Sequence, residues 1–130
     1  MHHRAAKIVL GIVGAIFVAH VYPLVMSFLQ PQQWKAIDPA LQVLLTIYFT
    51  LGIFMLAAVP HPQAHRSLIL FAAWSSFAHG AVMTAQAFRI REERLHMLVG
   101  AAVLAIAWLA LLAVMPARSD AAPGAEAASR

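Results

Sequence analysis

Four uninterrupted apolar segments, at approximately residues 8–29, 41–59, 67–88 and 95–115, leave this chain few ways to fold. Each is about 20 residues, the length of α-helix that crosses a hydrocarbon core at 1.5 Å per residue. None carries a Lys, Arg, Asp or Glu in its interior. Inside a bilayer the backbone must satisfy its own hydrogen bonds, and a helix does so within one segment. The pattern predicts an all-α integral membrane protein, a four-helix bundle of up-down-up-down topology. Residues 1–116 then make one four-span domain, with no room for a second. Residues 117–130, rich in Ala and Ser with Pro123 and Gly124, are expected to be a disordered tail.

Composition agrees. The 130 residues are 62% hydrophobic and 11% charged, under half the charge fraction of a soluble domain, about 25%. The formal charge of +4 would suggest nucleic acid in a soluble protein. Here the basic residues sit at helix ends, where they anchor spans against lipid headgroups. They form no continuous path for phosphates, so no nucleic-acid partner is expected. The chain has no cysteine, which removes disulfides, cysteine-ligated iron–sulfur clusters and thiol nucleophiles. The stretch Met1-His2-His3-Arg4-Ala5-Ala6-Lys7 before an apolar run looks like a secretory signal. The run is longer than a signal core of ~7–15 residues and no small-x-small cleavage site follows, so it reads as a retained first span.

Local signals place the ends. Pro23 lacks an N–H and crowds the carbonyl of Ala19, predicting a kink beside His20. The first loop, residues 30–37, is the longest, with Trp34 as an interfacial anchor. Asp38-Pro39 is a helix start, an acceptor at the cap and proline in the first turn. Pro60-His61-Pro62 forces a tight turn, so spans 2 and 3 should form an antiparallel hairpin, with Pro62 opening span 3. Residues 89–94 read as a helical extension or a charged turn. Both termini lie on one side with Arg4, Lys7, Arg66 and Arg118; Lys35, Arg89, Arg91 and Arg94 lie on the other. That is a tie under the positive-inside rule, and it is compatible with dual topology. The usual dominance of the first helix favours cytoplasmic termini.

Two kinds of residue inside the spans are informative. Ala72, Ser76, Gly80 and Thr84 recur every fourth residue of span 3, a ridge of small side chains that lets another backbone approach. Gly11 and Gly14 in span 1, and Gly100, Ala101 and Ala105 in span 4, offer similar faces. Such a ridge packs helices within a bundle or assembles the protein with a second copy or a membrane-protein partner. The second kind is polar. Ser75, His79 and Gln86 share one face of span 3, with Ser76 beside it. Span 1 has His20 and Ser27; span 2 has Thr46, Tyr48 and Thr50. His20 lies 13 residues beyond Lys7, and His79 lies 13 beyond Arg66. Both are therefore about 20 Å from the same membrane face.

Two level histidines on diagonal spans are a geometry that could ligate a b-type haem, with Gly80 and the serines leaving room and Ser75, Ser76 and Gln86 as polar lining. Quinone or proton handling uses the same pair. The bland alternative is that each imidazole bonds a serine or a freed carbonyl, such as that of Ala19, and that Val13, Ile16, Phe17 and Leu24 crowd His20. At the surface, His61 and His65 are four apart, and His2 and His3 emerge on the same side. Imidazoles bind Zn²⁺, Cu²⁺ or Ni²⁺, but no carboxylate or thiolate completes a set there. No glycine-rich phosphate loop, HExxH or GxSxG motif occurs, so enzyme activity is not expected. A small permease would have only His20 or His79 as proton carriers, since no span holds a carboxylate.

The stretch His65-Arg66-Ser67-Leu68-Ile69-Leu70-Phe71, then Trp74-Ser75-Ser76-Phe77-Ala78-His79, Val82-Met83 and Gln86-Ala87 resembles the central segment of a family of small four-helix bacterial membrane proteins of unknown function. The resemblance covers spans 2 and 3 best, and span 4 and the tail hardly at all. It implies a bacterial inner-membrane location and no particular activity, and it draws attention to His65, Trp74, Ser75, Ser76, His79 and Gln86. Small multidrug exporters carry a glutamate in span 1, and membrane glutathione-handling enzymes carry Glu and Arg in span 2; neither is present here. The leading expectation is a multi-pass inner-membrane protein acting through helix-mediated assembly, with the bilayer as its surroundings. A haem or quinone protein using His20 and His79 is the alternative, and a small permease the third.

Overall fold

The computed structural model describes residues 2–33 and 38–116, the side chains of residues 2 and 3 excepted. Trp34, Lys35, Arg118 and the tail over 117–130 lie outside the described residues. The elements are α1 (His2–Ala19), α2 (Val21–Leu29), α3 (Pro39–Ala58), a 3₁₀ turn (Pro62–His65), α4 (Arg66–Ala87) and α5 (Arg94–Ala113). No strand occurs among the described residues. Four helical stretches are long and apolar enough to cross a membrane: Arg4–Leu29, Pro39–Ala58, Pro62–Ala87 and Arg94–Ala113. The fold is an all-α integral membrane four-helix bundle.

The punctuation residues act as their chemistry dictates. The Asp38 carboxylate accepts from Leu41 N at 2.7 Å, satisfying one orphan donor of α3, with Pro39 in its first turn. Pro62 opens the 3₁₀ turn leading into α4. Residues 89–94 form a turn rather than a continued helix. The Gln86 carbonyl accepts from Arg89 N and Ile90 N, and Arg94 Nε donates to Ala87 O at 3.0 Å. An arginine thus caps one of the free carbonyls where α4 ends.

Span 1 breaks at His20, where α1 gives way to α2. Pro23 has no N–H for the Ala19 carbonyl. His20 N reaches back only three residues, to Phe17 O at 3.2 Å, and Leu24 N meets His20 O at 3.4 Å. The Ile16 carbonyl, which His20 N would serve in a regular helix, accepts from His20 Nδ1 at 2.9 Å instead. The carbonyl expected to take up an imidazole was Ala19's. It is Ile16's, left without its backbone donor because His20 N bonds Phe17 O instead.

The bundle is two tight pairs set side by side. α3 packs along α1, α4 packs along α5, and lighter contacts join α1 to α5 and α3 to α4. Spans 1 and 3 are therefore diagonal. Spans 2 and 3, expected to form an antiparallel hairpin, are joined at the Pro60–Pro62 turn and touch only lightly along their helices. An apolar groove of about 370 Å³ separates them, lined by Thr46, Ile47, Thr50, Leu51, Phe54, Leu68 and Phe71. Side-chain size explains the division. A Cβ on Gly52 of α3 would lie 2.7 Å from Val18 N and 2.8 Å from Gly14 O, so α1 and α3 touch backbone to backbone. No glycine of α3 or α4 brings those two helices as close: Gly52 abuts α1 and Gly80 abuts α5. At the end of the bundle near residues 58–69, Leu10, Met55, Ile69 and Leu111 are fully buried. Ile12, Phe54, Phe71 and Ile106 point outward, as side chains facing acyl chains do.

A phenol between two imidazoles inside the bundle

The break in span 1 turns His20 toward α3, and the side chain it meets is Tyr48. The two rings are stacked, with centroids 5.6 Å apart and planes 27° apart. Phe17, one turn earlier and buried, sets its edge against the same phenol at 4.9 Å. On the far side the Tyr48 hydroxyl is 2.8 Å from His79 Nδ1 of α4, the rings lying 5.4 Å apart at 61°. Tyr48 is 7% exposed, while His20 and His79 are half-buried. Three spans thus contribute to one cluster, with tyrosine as its centre.

The hydrogen bonds constrain the tautomers. A carbonyl oxygen only accepts, so His20 Nδ1 carries its proton and His20 Nε2 is left as the basic nitrogen of the neutral ring. At His79 the bond works in either sense: the phenol donates to a bare Nδ1, or Nδ1–H donates to the phenol oxygen.

About two turns beyond His20, near the end of α2, lies a second polar contact. Ser27, 6% exposed, donates from Oγ to Leu24 O at 2.7 Å and accepts from Gln42 Nε2 at 3.2 Å. Thr46 and Thr50 bond the carbonyls one turn back on their own helix, Gln42 O and Thr46 O, at 2.9 Å each. Their hydroxyls reach no other helix.

His20 and His79 are thus brought to one centre, as their matched depths suggested, but the space between them is filled. A macrocycle held by both imidazoles would have to displace the Tyr48 ring. Gly80, expected to leave room for it, faces α5: an added Cβ would meet Ala101 O at 3.4 Å and Leu104 Cβ at 3.5 Å. The residues present do not make room for a haem. Ser75, Ser76 and Gln86 do not line a common site either. Both serine hydroxyls donate to Ala72 O, at 3.2 and 2.7 Å, and Gln86 is exposed near the end of α4.

The ridge of Ala72, Ser76, Gly80 and Thr84 packs inside the molecule. Ala72 and Ser76 are fully buried, Gly80 abuts α5, and Thr84 Oγ1 turns back to Gly80 O at 2.8 Å. His61 and His65 are exposed, and no group of three or more His, Asp or Glu among the described residues could hold a metal ion.

Sequence reasoning named Tyr48 among the polar residues of span 2 without joining it to the histidines, and it missed Gln42. The signal for Tyr48 was a depth count from the other face. Ten residues beyond Asp38 it lies about 15 Å in, within a turn of the two histidines. Gln42 gave no comparable sign, since a glutamine in the first turn of a span is ordinary interfacial polarity.

A family model described as a family of unknown function, DUF6632, matches residues 2–128. No curated protein and no solved structure matches the chain.

Proposed function

Because the chain belongs to DUF6632, a family whose description names no activity, its own residues have to supply the reading, and we propose that it handles protons inside the bacterial inner membrane through His20, Tyr48 and His79. The observation that carries this is the 2.8 Å bond between the Tyr48 hydroxyl and His79 Nδ1, inside a span region that holds no charged side chain. Ionisable groups held at that depth are costly and face function more often than lipid. The inner-membrane placement rests on the four apolar helices, since outer membranes are spanned by β-barrels, and on the resemblance to bacterial four-helix proteins. Arg4 and Lys7 at the start of the first span favour cytoplasmic termini.

The chemistry needs only groups on hand. In the neutral cluster the Tyr48 O–H donates to His79 Nδ1, and His79 keeps its proton on Nε2. A proton delivered to Nδ1 reverses that bond: Nδ1–H then donates to the phenol oxygen, and the Tyr48 hydrogen turns to another acceptor. His20, its Nδ1–H anchored on Ile16 O, offers Nε2 as the second basic site. Of the ridge that helix-mediated assembly would use, Gly80 abuts α5 within the chain.

Purified protein in liposomes enclosing a pH-sensitive dye, with an imposed potassium diffusion potential, tests the reading. Wild-type protein should carry protons, His79→Ala should lower the rate roughly tenfold or more, and Tyr48→Phe should lower it less. A wild-type rate equal to that of protein-free vesicles would refute it.

A further inference from the structure

His79 has two ring nitrogens, and the cluster uses one of them. Nδ1 is 2.8 Å from the Tyr48 hydroxyl, and Nε2 bonds no described residue. Nε2 is not sealed in either, because Trp108 Nε1 is the one buried side-chain nitrogen or oxygen without a partner among the described residues. With Tyr48 donating to Nδ1, the neutral ring carries its proton on Nε2. An accessible N–H donor therefore stands 13 residues beyond Arg66, about 20 Å in from that face. Hydrocarbon surrounds the bundle at this depth, and there a polar group without a hydrogen bond is costly.

The groove between α3 and α4 leads to the same level. Thr46 and Thr50 of its wall straddle Tyr48 along α3. Leu68, on its other wall, lies eleven residues before His79, three turns back on the same face of α4. A chain that starts at the imidazole and follows that face reaches Leu68 after about 16 Å. The wall offers it no donor, since the Thr46 and Thr50 hydroxyls donate to Gln42 O and Thr46 O. Its volume of about 370 Å³ falls in the usual range of small-molecule sites, roughly 300–1,000 Å³.

An occupant has to come from the bilayer, carry an apolar chain and bring an uncharged acceptor to mid-membrane depth. A phospholipid supplies the chain, but its ester carbonyls stay at the edge of a hydrocarbon core about 30 Å thick. A quinone meets all three needs, with a flat uncharged ring, carbonyl acceptors and an isoprenoid tail. We propose that His79 Nε2 and the α3–α4 groove bind a lipophilic quinone: a ring carbonyl accepts from Nε2–H, and the apolar tail lies between the two helices. Binding leaves the oxidation state of the quinone unchanged. The assignment rests on the proton-handling reading for its tautomer, the neutral cluster in which Tyr48 donates to His79, and adds a ligand to the same imidazole.

Photolabelling with an azido-substituted decylubiquinone, on full-length protein in lipid nanodiscs with the adducts mapped by mass spectrometry, tests the site. Label should fall on residues 46–54 and 68–79, and excess decylubiquinone should block it where excess decane does not. His79→Ala should lower the labelling roughly fivefold, the worth of one hydrogen bond, and His79→Gln, which keeps an N–H donor, should restore part of it. Thr50→Trp, at an outward-facing position, fills the groove without touching the core and should abolish it. Label spread over all four spans would overturn the proposal. Groove labelling that decane displaces, or that His79→Ala leaves unchanged, would do so too, because the groove then takes any apolar chain.

Proton flux in liposomes made without quinone keeps the two ideas apart. Flux that His79→Ala abolishes, with no labelling that decylubiquinone blocks, removes the quinone and leaves proton handling. Labelling that decylubiquinone blocks, with no flux, leaves the quinone site and removes proton handling.

Discussion

The two ends of this bundle are built on different principles. Toward the Pro60–Pro62 turn, α1, α3, α4 and α5 close on a dry core in which Leu10, Met55, Ala58, Ile69, Ala72, Ala73 and Leu111 are buried. At the other end the first span is broken, α2 buries one serine, and hydrogen bonds from Tyr48 and Gln42 join the spans. Lipid supplies no hydrophobic drive between helices, so each end must find cohesion elsewhere. The dry end uses shape: glycine and alanine bring backbones together and large side chains fill what is left. The polar end uses direction, holding three spans at one level by bonds that can also be remade. The two meet at Phe17 and Tyr48, which belong to the buried core and to the cluster alike.

Substitutions can break this comparison, and the largest effect belongs to Gly52. Gly52→Ala puts a methyl within 3 Å of two backbone atoms of α1, and the helices must part. A loss of about 3 kcal/mol, at the upper end for overpacking, is expected in a denaturation titration in mixed micelles. An unchanged midpoint would mean that the α1–α3 contact is not a clamp. Leu111→Ala empties a fully buried site in the dry end. It should cost about 2 kcal/mol, the low end for such truncations, because a helix unfolded in micelles loses cavity contacts rather than transfer energy. Tyr48→Phe keeps the ring between Phe17 and His20 and deletes one hydroxyl, so the same titration should register only ~0.6–1.7 kcal/mol. A loss as large as that at Gly52 would make the cluster structural rather than adjustable. Gly80→Ala is the smallest. Its Cβ would meet α5 at 3.4–3.5 Å, ordinary contact distance, and stability should change by less than about 0.5 kcal/mol. A ranking with Gly80 above Gly52 would invert the account of which pair is locked.

Much of the fold was legible because bilayer length, proline and an aspartate cap act locally. The spans, the kink beside His20, the Asp38 cap and the Pro62 start all follow from a few neighbouring residues. Partner choice was not legible. The ridge from Ala72 to Thr84 marks a face that will be approached, yet nothing in its spacing says that α5 rather than a second copy approaches it. Gly14 was visible as a small residue, but its partner Gly52 gains meaning only once α1 and α3 are side by side. Hydropathy cannot separate a lipid-facing leucine from a buried one, since both sit in hydrocarbon-like surroundings. That is why the groove between α3 and α4 went unforeseen. The histidines were found by depth, a quantity the sequence carries along each helix axis. What stood between them depended on rotation about those axes, which depth does not encode.

The most direct test of the central claim is nitrogen NMR of protein labelled with ¹⁵N-histidine in lipid nanodiscs, with His20→Ala and His79→Ala to assign the two signals. At neutral pH, His20 is expected as the Nδ1–H tautomer, because Ile16 O only accepts, and the His79 Nδ1 signal is expected to move on Tyr48→Phe. An Nε2–H tautomer at His20, together with a His79 signal indifferent to Tyr48→Phe, would contradict the cluster as described.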